Sequence, residues 1–190
     1  MSKILNKEMR ERIQNLSSLI RYNNKLHIRN ENVAEHSFYV TLYTMELANI
    51  LGLSDKEYAY ALEHAIIHDI HEIDTSDIPH NVKGKFSLIK STTDEYEKDF
   101  CRTYFTDHFF SRTVLTRKDL VETVVLFADV LSVYQYALIE ISLGNKTFEA
   151  VKNNAKARIE ECASDIMSDE TVSDVSKDEI FNLLSEIRIN

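Results

Sequence analysis

Turn-formers are close to absent from this 190-residue sequence: it holds three glycines, a single proline at 79 and no tryptophan. A sandwich or barrel of many short strands needs a turn signal every ~10 residues, so that class is excluded. Cysteine occurs twice, as Cys101 and Cys162, without any CxxC pair. Neither a disulfide framework nor a thiolate zinc knot can be built from that. No apolar run approaches the ~18 residues of a membrane span, and no basic and apolar leader opens the chain. These absences predict a cytoplasmic protein with reduced thiols and no membrane contact. Positive charge is also in deficit, with 22 basic against 31 acidic residues and a net charge of -9. A broad, sequence-independent grip on nucleic acid is therefore not expected, and only a local basic pocket remains open.

What the sequence does have is apolar residues, 44% of the total, repeating at helical period nearly throughout. The length suits one domain over 1–190, burying roughly 70% of its unfolded surface. Residues 5–22 set Ile13, Leu16 and Ile20 on one side of a first helix. Asn32 with Glu35, and Ser54 with Glu57, have the spacing of capping boxes at the heads of a second and a third helix, the third running to about Glu72. Pro79 and Gly84 mark a loop over 73–92, and further helices are predicted over 94–110, 119–143, 147–166 and 177–188. The fold class is all-α, a compact helical bundle.

The stretch HAIIHDIHEIDTSDIPH, residues 64–80, holds four of the seven histidines together with three aspartates and a glutamate. Carried on as helix, it stacks His64, His68 and Glu72 in one stripe, with Asp69 about 100° round. His36 heads an inward line with Val40, Tyr43 and Leu47, a pattern that on its own reads as a core histidine. Asp129 interrupts the apolar run VETVVLFADVLSVYQYALIEI, where an ionised carboxylate needs a cation or hydrogen-bond donors. A metal and a capping or ion-pair role are equal readings for it. Two histidines and two carboxylates from three helices can converge on one divalent Mn, Fe, Co, Ni or Zn ion. A metalloprotease is disfavoured, because Ala65 stands where HExxH requires its glutamate.

Taken in order, ENVAEHS (31–37), HDIHEIDTSDIP (68–79) followed by Val82 and Lys83, AD.L (128–131) and GN..F (144–148) resemble the HD-domain metal-dependent phosphohydrolases. Within that superfamily the chain is most similar to the bacterial 5'-deoxynucleotidases, over residues 15–150. The resemblance implies an HD-type bundle whose metal ligands are His36, His68, Asp69 and Asp129. It implies that Glu72 and Asp77 are the acidic residues kept beside the metal for chemistry, and that Arg21 meets the substrate phosphate. Arg29 also aligns with an arginine. The residue after the first arginine is a tryptophan in those enzymes, where it packs on the sugar and helps exclude a 2'-hydroxyl; here it is Tyr22. The implied cofactor is one divalent transition ion, the implied partner a small nucleotide, and the implied assembly a homodimer.

Those residue types suit phosphate-ester hydrolysis on chemical grounds. A divalent ion screens the ester's charge and acidifies a bound water, after which catalysis is largely positioning and electrostatics. Glu72 is placed to orient or deprotonate the water and Asp77 to share that work or protonate the departing oxygen, the division being open. Arg21, with Lys83 or Lys85 as lesser candidates, would hold the phosphoryl group. The expected activity is removal of the 5'-phosphate from a nucleoside monophosphate, most readily a deoxynucleotide. The alternatives are release of tripolyphosphate from a triphosphate, served by Lys83, Lys85 or Lys90, and a non-catalytic nucleotide-binding module. His64 and His71 read as structural, His27 and His108 as incidental, and His80 as a loop residue. The aromatics Phe100, Tyr104, Phe105, Phe109 and Phe110 read as helix packing or a dimer face.

Overall fold

The computed structural model describes residues 7–105 and 115–189; the expectations placed on His108, Phe109 and Phe110 lie outside them. Helices dominate, as the composition requires: α1 (Lys7–Arg12), α2 (Val33–Ile50), α3 (Asp55–Ile67), α4 (Glu72–Thr75), α5 (His80–Lys85), α6 (Ser87–Tyr104), α7 (Lys118–Ser142), α8 (Glu149–Ser168) and α9 (Asp174–Ile189). Short 3-10 segments occupy Ile13–Ser18 and Lys146–Phe148. Among the described residues the only extended pairing is an isolated antiparallel bridge between Ile20 and Asn32. By its internal packing the chain groups into two compact units, Met1–Ser37 with Ile67–Thr113, and Phe38–Ile66 with Val114–Asn190.

The capping box of α2 forms in full, and that of α3 closes from the glutamate side. The Asn32 side-chain oxygen accepts from the Glu35 backbone N–H at 2.9 Å, and the Asn32 backbone N–H donates back to Glu35 Oε2 at 3.3 Å, starting α2. At the head of α3, Glu57 Oε2 accepts from the backbone N–H of Ser54 at 2.9 Å and from its hydroxyl at 2.7 Å. Arg117 then grips the same carboxylate through both oxygens, at 3.1 and 2.6 Å. Glu57 is 4% exposed, and the Arg117 hydrogen bond, working against burial and with help from Ser54, pulls its pKa down to about 2. The folded value lies below the ordinary 4.5, so the pair stabilises fully above that pH and less as pH falls from about 4.5 toward about 2. Arg117→Ala is expected to cost about 3 kcal/mol at neutral pH by leaving a buried carboxylate without its partner. Chemical denaturation should show the gap to wild type closing as pH is lowered through that window.

The third helix is shorter than the sequence predicts. It ends at Ile67, and His68–His71 form a turn before α4. Its backbone closes mainly through three-residue bonds: Ile70 N to Ile67 O at 2.9 Å, Glu72 N to Asp69 O at 3.0 Å and Ile73 N to Ile70 O at 3.3 Å. This tighter winding puts Ile67 and Ile70 together in the core of the first unit, with Met9, Phe100 and Cys101. The expected loop over 73–92 also holds more helix than its turn residues suggested. Pro79 accepts from the Val82 and Lys83 N–H groups and opens α5, and α6 begins at Ser87, with Thr93, Phe100 and Cys101 on its inward stripe. Arg12 pairs with Asp74 and donates to the Tyr104 hydroxyl at 3.1 Å, while the Tyr96 hydroxyl donates to Asp74 at 2.5 Å. That network ties α1, α4 and α6 around the small core.

In the second unit α7 packs along α8, and α8 against α9. α7 is 25 residues long with a window of mean hydropathy 1.6, enough to cross a membrane by length and composition, but 61% of that window is buried in the protein. Val121, Val124, Phe127 and Ala128 are fully buried, as befits a core helix. It ends at Ser142, followed by Gly144 at φ 98°, a left-handed stop that glycine takes without strain.

Candidate metal centre

His36 lies in the first turn of α2, fully buried at the head of the line that also buries Val40 and Leu47. His68 and Asp69 lie in the tight turn after α3. The fold brings these three together. Asp69 Oδ2 stands 3.2 Å from His68 Nε2 and 3.7 Å from His36 Nε2, the two rings meet edge to face at 5.3 Å between centroids, and one ligand atom from each residue lies within 4.8 Å of the others. Two imidazoles and a carboxylate at that separation are a donor set for a divalent transition ion, with no thiolate to make the site a structural zinc knot. Burial works against ionisation of Asp69, but His68, His36 and Arg21 hold its pKa well below the ordinary carboxylate range. The carboxylate is therefore charged and ready to ligate.

Glu72 opens α4 directly after this turn. It is 4% exposed, and its buried Oε2 meets no hydrogen-bond donor among the described residues. Burial first, then the like charges of Asp69 and Asp77, push its pKa up to about 9, against the pull of Arg21 and Lys83. The expected stripe of His64, His68 and Glu72 on one helix does not exist, because the helix stops at Ile67; Glu72 comes near Asp69 through the overwound turn instead. His64 sits on α3 in the second unit, its ring 6.1 Å from that of Tyr60. His71 is 3% exposed and burial lowers its pKa, leaving it neutral at pH 7. His27 bonds within its own loop, to Lys25 O and Asn30, and the His80 side chain lies outside the described residues.

Asp77 does something that its position in the sequence does not announce. Its Oδ2 accepts the backbone N–H of Tyr22 at 3.1 Å, and its backbone carbonyl accepts from the Asn23 side chain at 3.3 Å. Tyr22 is held at φ 57°, and Ser76, next to Asp77, at φ 59°, both in the left-handed region that non-glycine residues seldom occupy. Arg21 projects one residue earlier, with its charge acting on both Asp69 and Glu72. Lys83 of α5 acts on Glu72 and on Glu97. Arg29 pairs with Glu35 at 3.4 Å, a surface ion pair of the kind that binds little by itself.

Two acids escaped the sequence reading. Glu31, 2% exposed, pairs with Arg21. Glu97 lies on the inward stripe of α6 between Thr93 and Phe100, its pKa raised by burial first and then by Asp69, with His68 and Lys83 opposing. The available signal was a glutamate interrupting the buried stripe of its helix: Glu97 stands four residues from each of Thr93 and Cys101, which are buried. Asp129 lies on α7 in the second unit, half-buried between buried Val125 and Leu131, and its assignment as a ligand rests on the sequence.

The same architecture occurs in solved phosphohydrolases. The HD phosphohydrolase DatZ of cyanophage S-2L, bound to dA and one catalytic Zn2+ ion, superposes with a TM-score of 0.67 at 15% identity, covering 99% of each chain. The PH0347 protein of Pyrococcus horikoshii has a TM-score of 0.66 at 23% identity, over 95% of this chain and 98% of that one. An HD-domain phosphohydrolase of Listeria innocua has a TM-score of 0.63 at 19% identity, over 96% and 97%. At these identities the likeness is one of fold. No protein in the curated set matches the sequence. The family described as 5'-deoxynucleotidase YfbR-like matches residues 9–170, and with that match over most of its length the chain belongs to the YfbR-like 5'-deoxynucleotidase family, as a phosphohydrolase of the HD-domain fold.

Proposed function

We propose that the enzyme removes the 5'-phosphate from nucleoside monophosphates, deoxynucleotides foremost. The observation that carries this reading is the convergence of His36, His68 and Asp69, with the buried carboxyl of Glu72 one short turn away. Those three groups would hold a divalent ion, with Asp129 as a fourth ligand on the strength of the sequence, and the ion would supply Lewis acidity there. Glu72, close enough to Asp69 to feel its charge, would orient a water held there or take its proton once a bound dication has lowered the Glu72 pKa. Arg21 clamps the phosphoryl oxygens through its planar fork. Asp77 keeps the Tyr22 backbone in place and stands near enough to Glu72 to raise its pKa, so delivery of a proton to the departing 5'-oxygen stays with one of these two acids. Tyr22 meets the sugar, and Lys83 adds charge beside the phosphate; Arg29, paired with Glu35, plays the smaller part.

The monophosphate reading is supported by the lysines. A triphosphatase needs cations beyond the first phosphate, yet Lys90 is engaged by Asp94 at 2.7 Å on its own helix, and Lys85 lies over the Phe86 ring at 5.8 Å. DatZ, bound to a deoxynucleoside, supports a nucleotide substrate. The test is a phosphate and polyphosphate release screen over ribo- and deoxynucleoside mono- and triphosphates with Mn2+, Co2+ or Zn2+. Orthophosphate from 5'-monophosphates is the expected product. Tripolyphosphate would favour the triphosphatase, and no release from any nucleotide would favour a binding module.

Sugar selectivity gives a second check. A tyrosine ring covers less of the sugar than an indole, so discrimination against ribose should be weak, and Tyr22→Trp is expected to favour deoxyribose by a further ~10-fold in kcat/KM, about 1.4 kcal/mol. Paired kinetics on a ribo- and a deoxynucleoside monophosphate measure it. An unchanged ratio would remove Tyr22 from the sugar.

A further inference from the structure

We propose that Glu31 is the positioning residue of the phosphate clamp: it fixes the Arg21 guanidinium in one orientation before a phosphoryl group arrives. The inference rests on the reading of Arg21 as the phosphate-binding residue. Glu31 is 2% exposed, and its Oε2 takes Arg21 Nη1 at 3.2 Å, the Arg21 side chain being 13% exposed. The register of the pair is set by backbone. Arg21 N–H donates to the Glu31 carbonyl at 2.9 Å, Val33 N–H donates to the Leu19 carbonyl at 2.9 Å, and Ile20 and Asn32 form the antiparallel bridge between them. The capping box of α2 begins at Asn32, the next residue, and anchors this strand-like strip to the helix that carries His36.

From the other side Asp77 holds the Tyr22 N–H. Arg21 is thus pinned at its own backbone, at its neighbour's backbone and at its side-chain head. A guanidinium has five donors in a rigid fork, and Glu31 holds it through Nη1. Its charge acts on both Asp69 and Glu72, in the metal-binding group and beside it. A long side chain held in one rotamer loses little freedom on meeting its ligand, and that is where preordering tightens binding. A buried glutamate in this place is otherwise costly, because burial raises its pKa, and Arg21 and then Arg29 are what oppose that rise.

Reach and charge can be separated by two conservative variants. Glu31→Asp keeps the charge and withdraws the oxygen; Glu31→Gln keeps the reach and an acceptor oxygen and drops the charge. The readout is the Kd of inorganic phosphate for the metal-loaded full chain by calorimetry, with melting temperature as a check on folding. Glu31→Asp is expected to weaken phosphate about tenfold, Glu31→Gln by less than about threefold, and Arg21→Ala by about thirtyfold. Added to Arg21→Ala, Glu31→Asp should do nothing more. The inference is overturned if Glu31→Asp binds phosphate like wild type, if Glu31→Gln is the weaker of the two, or if Glu31→Asp costs the same with Arg21 absent. If Arg21→Ala itself leaves the Kd unchanged, the phosphate-binding reading of Arg21 is what fails.

Discussion

Asp69→Asn is expected to lower kcat/KM for phosphate release about a thousandfold, roughly 4 kcal/mol of transition-state stabilisation, and to leave the purified protein without bound divalent ion. Asparagine matches aspartate in size and keeps one acceptor oxygen, so packing in the turn after α3 is little disturbed. What disappears is the negative charge that faces His68 at 3.2 Å and His36 at 3.7 Å. Two imidazoles alone make a weak pair for a divalent ion, whereas the carboxylate of Asp69 beside them completes a site. Steady-state kinetics and elemental analysis on the same preparation measure both effects, with the melting temperature of the chelated proteins as the control for folding. A variant that retains a full equivalent of metal would mean that other groups hold it.

Glu72→Gln should separate metal binding from chemistry. It is expected to keep the ion while kcat falls by about a thousandfold, the loss of a general acid–base group. It should also stabilise the metal-free protein. Burial, followed by Asp69 and Asp77, raises the Glu72 pKa to about 9 from an ordinary 4.5. A carboxyl whose folded pKa is raised binds more protons folded than unfolded, so its contribution is most favourable below pH 4.5 and is lost as pH rises toward about 9. Glutamine cannot ionise and escapes that loss. At pH 8 the chelated variant should melt about 5 °C above wild type, for roughly 2 kcal/mol, with the difference shrinking toward pH 5. Equal melting curves at both pH values would show that Glu72 is not held protonated. A dication seated on Asp69 lowers the Glu72 pKa again, so metal binding at pH 7 to 8 should release protons.

The head of α2 and its buried line were legible because their signals are local, whereas the ligand set was read from the family resemblance. Asn32 with Glu35 and Ser54 with Glu57 are short-range pairs whose spacing brings them together; the first closes reciprocally, and in the second Ser54 only donates to Glu57. His36 was placed by period alone, at the head of the line that buries Val40 and Leu47. The helix break after Ile67 was not legible, because no glycine or proline announces it; three-residue winding is selected by burial of Ile67 and Ile70 against Met9 and Phe100, groups distant in sequence. The helix start at Ser87 was missed for the converse reason: Gly84 reads as loop, yet it sits in α5. Glu31 and Asp77 show a further limit. A carboxylate that works by holding a backbone N–H or a guanidinium carries no distinctive spacing, and only the fold shows Asp77 against the Tyr22 N–H and Glu31 against the Arg21 side chain.

The central claim is the shared ion on His36, His68 and Asp69. The measurement that tests it most directly is anomalous diffraction from crystals grown with Mn2+ or Co2+, collected on both sides of the metal's absorption edge. The account predicts a single strong peak about 2.0 to 2.2 Å from a nitrogen of each imidazole and from an Asp69 oxygen. A peak at other residues, or three ordered side chains with no peak between them at saturating metal, would contradict it.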